Sequence, residues 1–289
     1  MKSFPVPIRF SIILILALGV RMCMVLFTGE DPLGQIYHYR PIVAALKVGP
    51  AAMMILAISY SALIAVYIKY SSWFPGKGIW RGLRFGVLFA LVWFFGMLEG
   101  SLVTDIPLQI EFKYGLLEMP SIILIGFLSE WFFSSGKLNN GNVFPKVRGI
   151  KIFLGLAGIA LFGLAGRYFY YIFIGQETSW IIKPVATLLW TLGNAILVSV
   201  IFWQLGSRLP GSILKKGLVF AFIIYGIDWL CFSLVAPFLF EVSLFEVFRT
   251  FFARVLTDCV FISLGVNACV NLIDALISRT VKAAERAAL

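Results

Sequence analysis

The sequence predicts an all-α integral membrane protein, an eight-transmembrane-helix bundle, on three observations. Hydrophobic residues make up 61% of the 289 residues, and charged residues only 13%, about half the share usual in a soluble domain. The mean hydropathy is +0.96. Eight apolar runs are long enough to be membrane helices, since about 20 residues span the hydrocarbon core. These runs do not alternate as the strands of a membrane barrel would.

The predicted spans follow from the apolar runs taken in chain order. Pro50 and Pro184 stand at the start of the second and sixth runs, where a missing N–H costs nothing. No small-x-small cleavage site follows the first run, which is therefore predicted to be an uncleaved helix and not a signal peptide. The runs cover 8–27, 49–70, 80–99, 114–133, 150–173, 184–205, 214–238 and 249–275.

Basic residues between the spans predict the orientation. Sixteen Lys and Arg residues fall on the side of the N-terminus, and five fall on the other side. By the positive-inside rule, the first side is cytoplasmic. An even number of spans then places both termini in the cytoplasm, and the expected location is the cell membrane, plasma or inner. The five residues of the outer side are Arg40, Lys47, Lys113, Lys183 and Arg249.

The two halves of the sequence resemble each other at offsets of about 135 to 146 residues, and the longer first outer loop accounts for the difference. Residues 74–85 read FPGKGIWRGLRF and residues 209–220 read LPGSILKKGLVF, with five of twelve positions identical. ALGVR at 17–21 also matches GLAGR at 163–167. Chance similarity between apolar strings is the alternative. The matches include turns and charges, however, and self-similarity at a fixed period indicates a repeat.

We therefore expect two four-helix membrane repeats, 1–135 and 149–289, the second ending in a short cytoplasmic tail. A cytoplasmic linker at 136–148 joins them. Because each repeat has an even number of spans, the two should be parallel, related by rotation about an axis along the membrane normal. Residues 8–133 should then superpose on 150–268.

Six ionisable residues lie in the outer half of the predicted spans or near their middle. Charges in the hydrocarbon region are costly and are candidates for function. We interpret these six as substrate-binding candidates that line an outer cavity between the repeats, with arginine facing an anionic group because its planar fork suits carboxylate and phosphate. The six are Arg21, Arg167, Glu118, Asp228, Arg254 and Asp258.

Purely structural pairing is the alternative interpretation, and the two are compatible. Arg254 and Asp258 are four residues apart on one helical face, and Arg21 and Arg167 can pair with Glu118 and Asp228 across helices. Buried charges must be paired whatever the function.

Other polar and small residues have positional meaning. Glu99 and Glu130 lie near span ends, where we expect them to be hydrated. Asn267, Asn271 and Asp274 recur on one face of the eighth span, which favours a helix contact or a polar pathway. The glycines of the fifth span predict a close helix contact: Gly155, Gly158, Gly163 and Gly166.

Several functional classes find no support in the sequence. The net charge of +10 lies in short loops between apolar runs, which argues against nucleic-acid binding. His38 is the single histidine, and no zinc-protease, P-loop or nucleophile-elbow motif is present. No residue pattern indicates a cofactor or a metal site. The four cysteines lie in apolar runs without metal-like spacing: Cys23, Cys231, Cys259 and Cys269.

Three functions remain open. The leading hypothesis is transport or binding of a small or lipid-like solute, with an anionic group, at the outer cavity between the repeats. The second is a membrane-embedded sensor or assembly subunit, whose intramembrane charges are structural. The third is an intramembrane enzyme acting on lipid, which no catalytic motif favours. Membrane lipids are the expected surroundings, and assembly into an oligomer or with a partner subunit stays open.

Overall fold

The computed structural model describes residues 4–25, 38–46, 48–103, 106–133, 150–175, 177–205, 209, 211–241 and 243–288. The predicted linker at 136–148 lies outside these residues, as does most of the first outer loop. The side chains of Asn271 and Asp274 also lie outside the described part.

The described residues are helical throughout and contain no β-strand; a single bridge pairs Tyr39 with Phe240. The first half holds α1 (Val6–Val25), α2 (Pro41–Leu46), α3 (Val48–Tyr70), α4 (Ile79–Val103) and α5 (Leu108–Phe133). The second half holds α6 (Ile150–Phe169), α7 (Glu177–Ile182), α8 (Pro184–Leu205), α9 (Ile213–Leu218), α10 (Gly226–Ser233), α11 (Val235–Leu239), α12 (Leu244–Glu246) and α13 (Ala253–Ala288). A 3₁₀ turn at Ser71–Trp73 and π-helical segments at Tyr170–Gly175, Val219–Tyr225 and Val247–Phe252 join some of them.

Seven helices in the described part of the chain are long and apolar enough to cross a membrane, which suggests a membrane-embedded protein. They correspond to the first six predicted spans and to the last. The predicted span at 214–238 is a run of shorter helical segments, α9, Val219–Tyr225, α10 and α11. An eighth crossing therefore stays a prediction.

Helix packing divides the bundle into two groups. In the first half, α5 packs against α1, α3 and α4, and α1 also packs against α3. In the second half, α13 packs against α6, α9 and α10, and α6 also packs against α8. The halves meet through α3 with α10, α4 with α8, and α4 with α10.

Large apolar side chains cover the outer surface. Ile15, Phe153 and Leu189 are each about two-thirds exposed, as lipid-facing residues of a membrane bundle would be. The polar and charged residues described next are instead buried between helices.

Small residues produce the closest helix crossing, between α4 and α5. A Cβ atom on Gly82 would lie 2.6 Å from the Glu130 Cβ, and one on Gly86 would lie 2.7 Å from the Ile123 Cα. Only glycine permits such an approach, and close packing of this kind replaces the hydrophobic effect as the force between membrane helices.

Candidate functional site: a buried ion-pair network

Arg167, near the C-terminal end of α6, lies at the centre of the largest charged cluster. Its Nη1 donates a hydrogen bond of 2.5 Å to the Glu99 Oε1 on α4, and its Nη2 lies 2.6 Å from the Asp258 Oδ2 on α13. All three side chains are almost completely buried. One planar guanidinium thus joins three helices, which matches the fork geometry of arginine.

Two tryptophans stack on the Arg167 guanidinium. The ring centres of Trp190 and Trp229 lie 4.9 and 5.2 Å from its Cζ. Both rings are buried, and the Trp190 indole N–H donates to the Phe95 carbonyl oxygen at 2.8 Å. Desolvated cation–π contacts of this type contribute up to about 2 kcal/mol each. They hold the guanidinium in place from the sides that the carboxylates leave open.

Arg254 extends the cluster toward the start of α13. Its Nη1 lies 3.2 Å from the Glu99 Oε2, and its Nη2 donates to the Ser233 hydroxyl at 3.0 Å. Its Cζ also lies 5.7 Å from the Trp229 ring centre. Glu99 therefore receives two arginines, both from the second half of the chain. We call Glu99, Arg167, Arg254 and Asp258 the central network; its formal charges sum to zero.

A small cavity adjoins the central network inside the second half. It is lined by Arg167, Asp258, Thr191, Asn194 and Tyr225, among others, with space for about one water molecule. The Asn194 amide donates to the Tyr225 hydroxyl at 3.3 Å, while its carbonyl oxygen is buried with no hydrogen-bond partner among the described residues. The cavity is thus narrow and largely apolar, with a few polar groups, one of which has no hydrogen-bond partner among the described residues.

A second cluster lies within the first half and has a similar plan. The Arg21 Nε on α1 donates to the Glu118 Oε1 on α5 at 2.6 Å. The Tyr60 hydroxyl on α3 donates to the Glu118 Oε2 at 3.1 Å. Arg21 and Glu118 are both buried, so this pair follows the cross-helix pairing that the sequence predicts.

Asp228, on α10, differs from the other five candidates. Its side chain is 1% exposed, and neither carboxylate oxygen has a hydrogen-bond partner among the described residues. The sequence offered a pairing of Asp228 with Arg167. In the structure, Arg167 pairs instead with Glu99 and Asp258.

Two expectations from the sequence are wrong. Glu99 and Glu130, expected to be hydrated, are 1% and 2% exposed. Glu99 belongs to the central network. Glu130 forms a two-point pair with Arg81, at 2.9 Å from both Nε and Nη2, and accepts a hydrogen bond from the Tyr67 hydroxyl. The error arose because position within an apolar run indicates depth along a helix, whereas burial depends on which face meets a neighbour.

Arg254 and Asp258 share a helical face, yet both bind residues of other helices. Asp258 pairs with Arg167, and Arg254 pairs with Glu99. The structure thus gathers Arg167, Arg254 and Asp258 around Glu99, and it places Arg21 with Glu118 in a separate cluster. Whether any of these residues binds a substrate stays a prediction.

Several residues of the site were not singled out from the sequence. They are Trp190, Trp229, Asn194 and Tyr60. Trp229 follows Asp228 directly, so a polar residue next to an aromatic one in mid-span was a signal that the sequence offered. The helix facing Trp190 could not be known without the fold.

The small-residue face of α6 contacts neighbouring helices at two of its glycines. A Cβ on Gly166 would meet the Phe261 side chain of α13 at 2.6 Å, and one on Gly163 would lie 3.5 Å from the Ala195 Cβ of α8. No atom lies within 4 Å of such a position on Gly158. On α13, the Asn267 amide donates to the Ser263 carbonyl oxygen at 2.7 Å, within its own helix.

No group of three or more His, Cys, Asp or Glu side chains that could hold a metal ion occurs among the described residues. The cysteines of that part are free thiols, and three of the four are buried.

Fold and site together define the class: a membrane-embedded helical bundle with a neutral network of buried ion pairs. Comparison with protein-family models, with curated proteins and with solved structures finds no match to this chain. The function must therefore be argued from the geometry.

Proposed function

We propose that the chain crosses the cell membrane eight times as two parallel four-helix units, with α1, α3, α4 and α5 corresponding to α6, α8, the α9–α10 run and α13. The packing supports this. The contacts α1–α3, α1–α5 and α4–α5 correspond to α6–α8, α6–α13 and α9–α13. Between halves, α3–α10 corresponds to α8–α4, as a two-fold relation requires. The α3–α5 contact is the exception, because α8 packs less closely against α13.

Individual residues support the same relation. Gly82 of α4 approaches Gly126 and Glu130 of α5, and Gly217 of α9 approaches Ser263 and Asn267 of α13. Gly82 and Gly217 occupy the same place in the two matching sequence segments. The spacing of four residues between the contacted positions is also the same in α5 and α13.

The arginine pairs agree as well. Arg21 and Arg167 occupy matching sequence positions, and each pairs at 2.6 Å with a carboxylate on the last long helix of its own half, Glu118 or Asp258. Under this proposal the central network is the elaborated copy of the Arg21–Glu118 pair. Both termini are cytoplasmic, and the arginine pairs lie in the outer half of the membrane.

We propose further that the protein binds and transports a small solute with an anionic group, at the cavity beside Arg167. The observation that carries this proposal is the combination of a buried arginine with an unpartnered Asn194 carbonyl oxygen in one cavity. Binding sites in helical bundles lie between facing helices, with a few convergent polar groups and aromatic walls. Tyr225 supplies an aromatic wall of the cavity, and Trp190 and Trp229 hold the arginine itself, at 4.9 and 5.2 Å from its Cζ.

The cavity has space for only about one water molecule, which is too small for a solute. The present geometry therefore corresponds to a closed state. A solute anion would exchange with Asp258 for the Arg167 guanidinium as α6 and α8 move apart. Arg21, Glu118 and Tyr60 then stabilise the first half without contacting the solute. Asp258 and Arg254 stay in the proposed site, Asp258 as a direct partner of Arg167 and Arg254 through the Glu99 carboxylate that it shares with Arg167. Asp228 is not among the described residues that line the cavity, and we propose that solute movement requires it at a place outside that cavity.

Ligand-induced stabilisation tests this proposal. The purified full-length protein is incubated with a panel of small carboxylates, phosphates and lysolipids, and its thermal unfolding is recorded. A ligand at a hundredfold excess over its Kd stabilises the folded state by about 2.7 kcal/mol. The expected stabilisation by an anionic solute persists in Arg81→Lys, which changes a buried arginine outside the site, and is lost in Arg167→Lys. Equal stabilisation of both variants would refute the Arg167 site.

Uptake into proteoliposomes then separates binding from transport. Asp228→Asn should leave a folded protein that has lost solute uptake. A folded Asp228→Asn variant with full uptake would reduce this residue to scaffolding.

A sensor or assembly subunit is the second candidate, and the neutrality of the central network favours it. Glu99 and Asp258 balance Arg167 and Arg254 without any ligand, as structural pairing requires. The same panel discriminates: a structural network predicts that no small anion stabilises the wild type, whereas co-purification with a partner subunit would be retained.

A further inference from the structure

Asp228 is the one candidate carboxylate whose two oxygens both lack a hydrogen-bond partner among the described residues. It is 1% exposed, in the middle of the helical run that the sequence predicts as the seventh span. An ionised carboxylate left in such surroundings costs far more than a satisfied pair contributes. The group therefore needs a proton, a cation or an arginine to neutralise it.

The charged groups on the helices around α10 are engaged elsewhere. On α4, Glu99 pairs with Arg167 and Arg254. On α13, Arg254 and Asp258 belong to the same network. On the π-helical segment Val247–Phe252, Arg249 pairs with Glu246 at 3.1 Å.

The titratable groups buried on the remaining neighbours are neutral side chains, and Lys69 of α3 is exposed at the end of that helix. On α3, the Tyr60 hydroxyl donates to Glu118. On the segment Val219–Tyr225, the Tyr225 hydroxyl accepts from Asn194 at 3.3 Å. On α10 itself, the buried Cys231 thiol lies about one turn from Asp228. None of these buried side chains carries a positive charge.

A bound metal cation is a poor fit to these surroundings. Hard cations take about six oxygen ligands, and the described residues contain no metal-binding group of three or more His, Cys, Asp or Glu side chains. A proton needs one oxygen only.

The position of Asp228 gives the proton a role. Helix α10 packs against α3 and α4, so it lies where the two halves meet. The carboxyl is neutral when protonated and carries one negative charge when ionised. Its protonation state therefore changes the electrostatic free energy of the contact that α10 makes with α3 and α4. Proton-carrying carboxyls inside membrane helices serve as relays in pumps and transporters.

We propose that Asp228 is a proton-binding site that holds a proton in the present structure and releases it to water when the contact of α10 with α3 and α4 opens. One carboxylate oxygen accepts the proton from water on one side of the membrane, and the same O–H bond breaks on release, so no other group is consumed. That this proton drives solute movement rests on the proposed function; the protonation itself does not.

Infrared difference spectroscopy on the full-length protein in lipid nanodiscs tests the site directly. The carbonyl stretch of a protonated carboxylic acid is recorded at neutral pH for the wild type and for Asp228→Asn. We expect a band in the wild type that shifts in D₂O, disappears on alkaline titration and is absent in Asp228→Asn. Glu246→Gln, which removes an exposed ion-paired carboxylate, is the matched control and should keep the band.

Sodium content separates the two possible occupants. The band should be equally strong in sodium, potassium and choline buffers. A band present only without sodium would overturn the proton assignment in favour of a cation, and no difference between the wild type and Asp228→Asn would overturn it altogether.

Thermal unfolding gives a second, independent reading. Asparagine reproduces the shape of the neutral acid, so Asp228→Asn should change the Tm by less than about 3 °C. Asp258→Asn removes a countercharge from Arg167 and should lower the Tm by more. Failure of the Asp228→Asn variant to fold would contradict the proposal, because asparagine resembles the neutral acid that the proposal places at this position. Neither measurement uses a solute, so failure of the transport hypothesis leaves both results interpretable.

Discussion

Glu99 of α4 and Arg167 of α6 form a 2.5 Å hydrogen bond between the two halves of the chain, in a place where both side chains are about 1% exposed. Both groups are shielded from bulk solvent, so the contact restrains the relative position of the halves. Breaking it exposes two charges to an apolar interior. Any motion that separates the halves must first supply a new partner for each of them.

The Arg21–Glu118 pair gives a clean test of buried pairing, because it is separate from the central network. Arg21→Met leaves Glu118 with only the Tyr60 hydroxyl, and should cost about 3–5 kcal/mol of unfolding free energy. Adding Glu118→Leu should recover much of that loss, since no unpaired charge then stays buried. Unfolding of the three variants in one detergent measures the cycle. Additive costs would show that the two residues are independent.

Arg167→Lys should destabilise the protein although it keeps the charge. A lysine ammonium cannot present a planar fork to Glu99 and Asp258 while stacking between Trp190 and Trp229. We expect a loss of about 2 kcal/mol from the cation–π contacts alone.

Arg249→Lys is the matched control, because its pair with Glu246 is more than one-third exposed. Its cost should stay below about 1 kcal/mol. Similar losses of unfolding free energy in Arg167→Lys and Arg249→Lys would mean that the planar guanidinium of Arg167 and its contacts with Trp190 and Trp229 contribute little to stability.

Gly82→Ala should destabilise the α4–α5 crossing. The added methyl group would lie 2.6 Å from the Glu130 Cβ, so the helices must move apart. Overpacking of this kind costs about 1–3 kcal/mol. Gly19→Ala on α1, where nothing lies within 4 Å, should change stability by less than about 0.5 kcal/mol. Equal thermal stabilities of these two variants would contradict the tight crossing.

Reporter fusions decide between seven and eight crossings. With eight, fusions at residues 75, 142, 210 and 289 read cytoplasmic, and those at 35, 106, 178 and 243 read external. If the run 214–238 does not cross, the fusion at 243 becomes cytoplasmic and the one at 289 external. Those two positions are the informative ones, because the two models agree at the six others.

Helix positions were predictable because a membrane helix must form all its backbone hydrogen bonds within itself. An apolar run of about 20 residues is therefore enough to indicate such a helix. Six of the predicted spans and the last correspond to long apolar helices. The run 214–238 was harder, because the sequence does not reveal that its helical hydrogen bonding changes to a π pattern at Val219–Tyr225.

Partners inside the bundle were less predictable than the helices. The Arg21–Glu118 pair was among the expected alternatives, whereas the link from Arg167 to Glu99 was not. The sequence indicates how deep in the membrane a residue lies. Which of two acidic residues at similar depth becomes the partner of an arginine depends on helix rotation and on which helices are neighbours. Glu99 was missed for that reason, and its burial follows from the contact of α4 with α8 and α10.

The chain order of the buried pairs also has a consequence for biogenesis. Arg167 is synthesised 68 residues after Glu99, so a countercharge is already in the bundle when α6 enters the membrane. Arg21 is synthesised 97 residues before Glu118 and must wait for its partner. We therefore expect α1 to reach the membrane before the carboxylate partner of Arg21 has been synthesised, so that its integration is costlier at that stage than in the finished bundle.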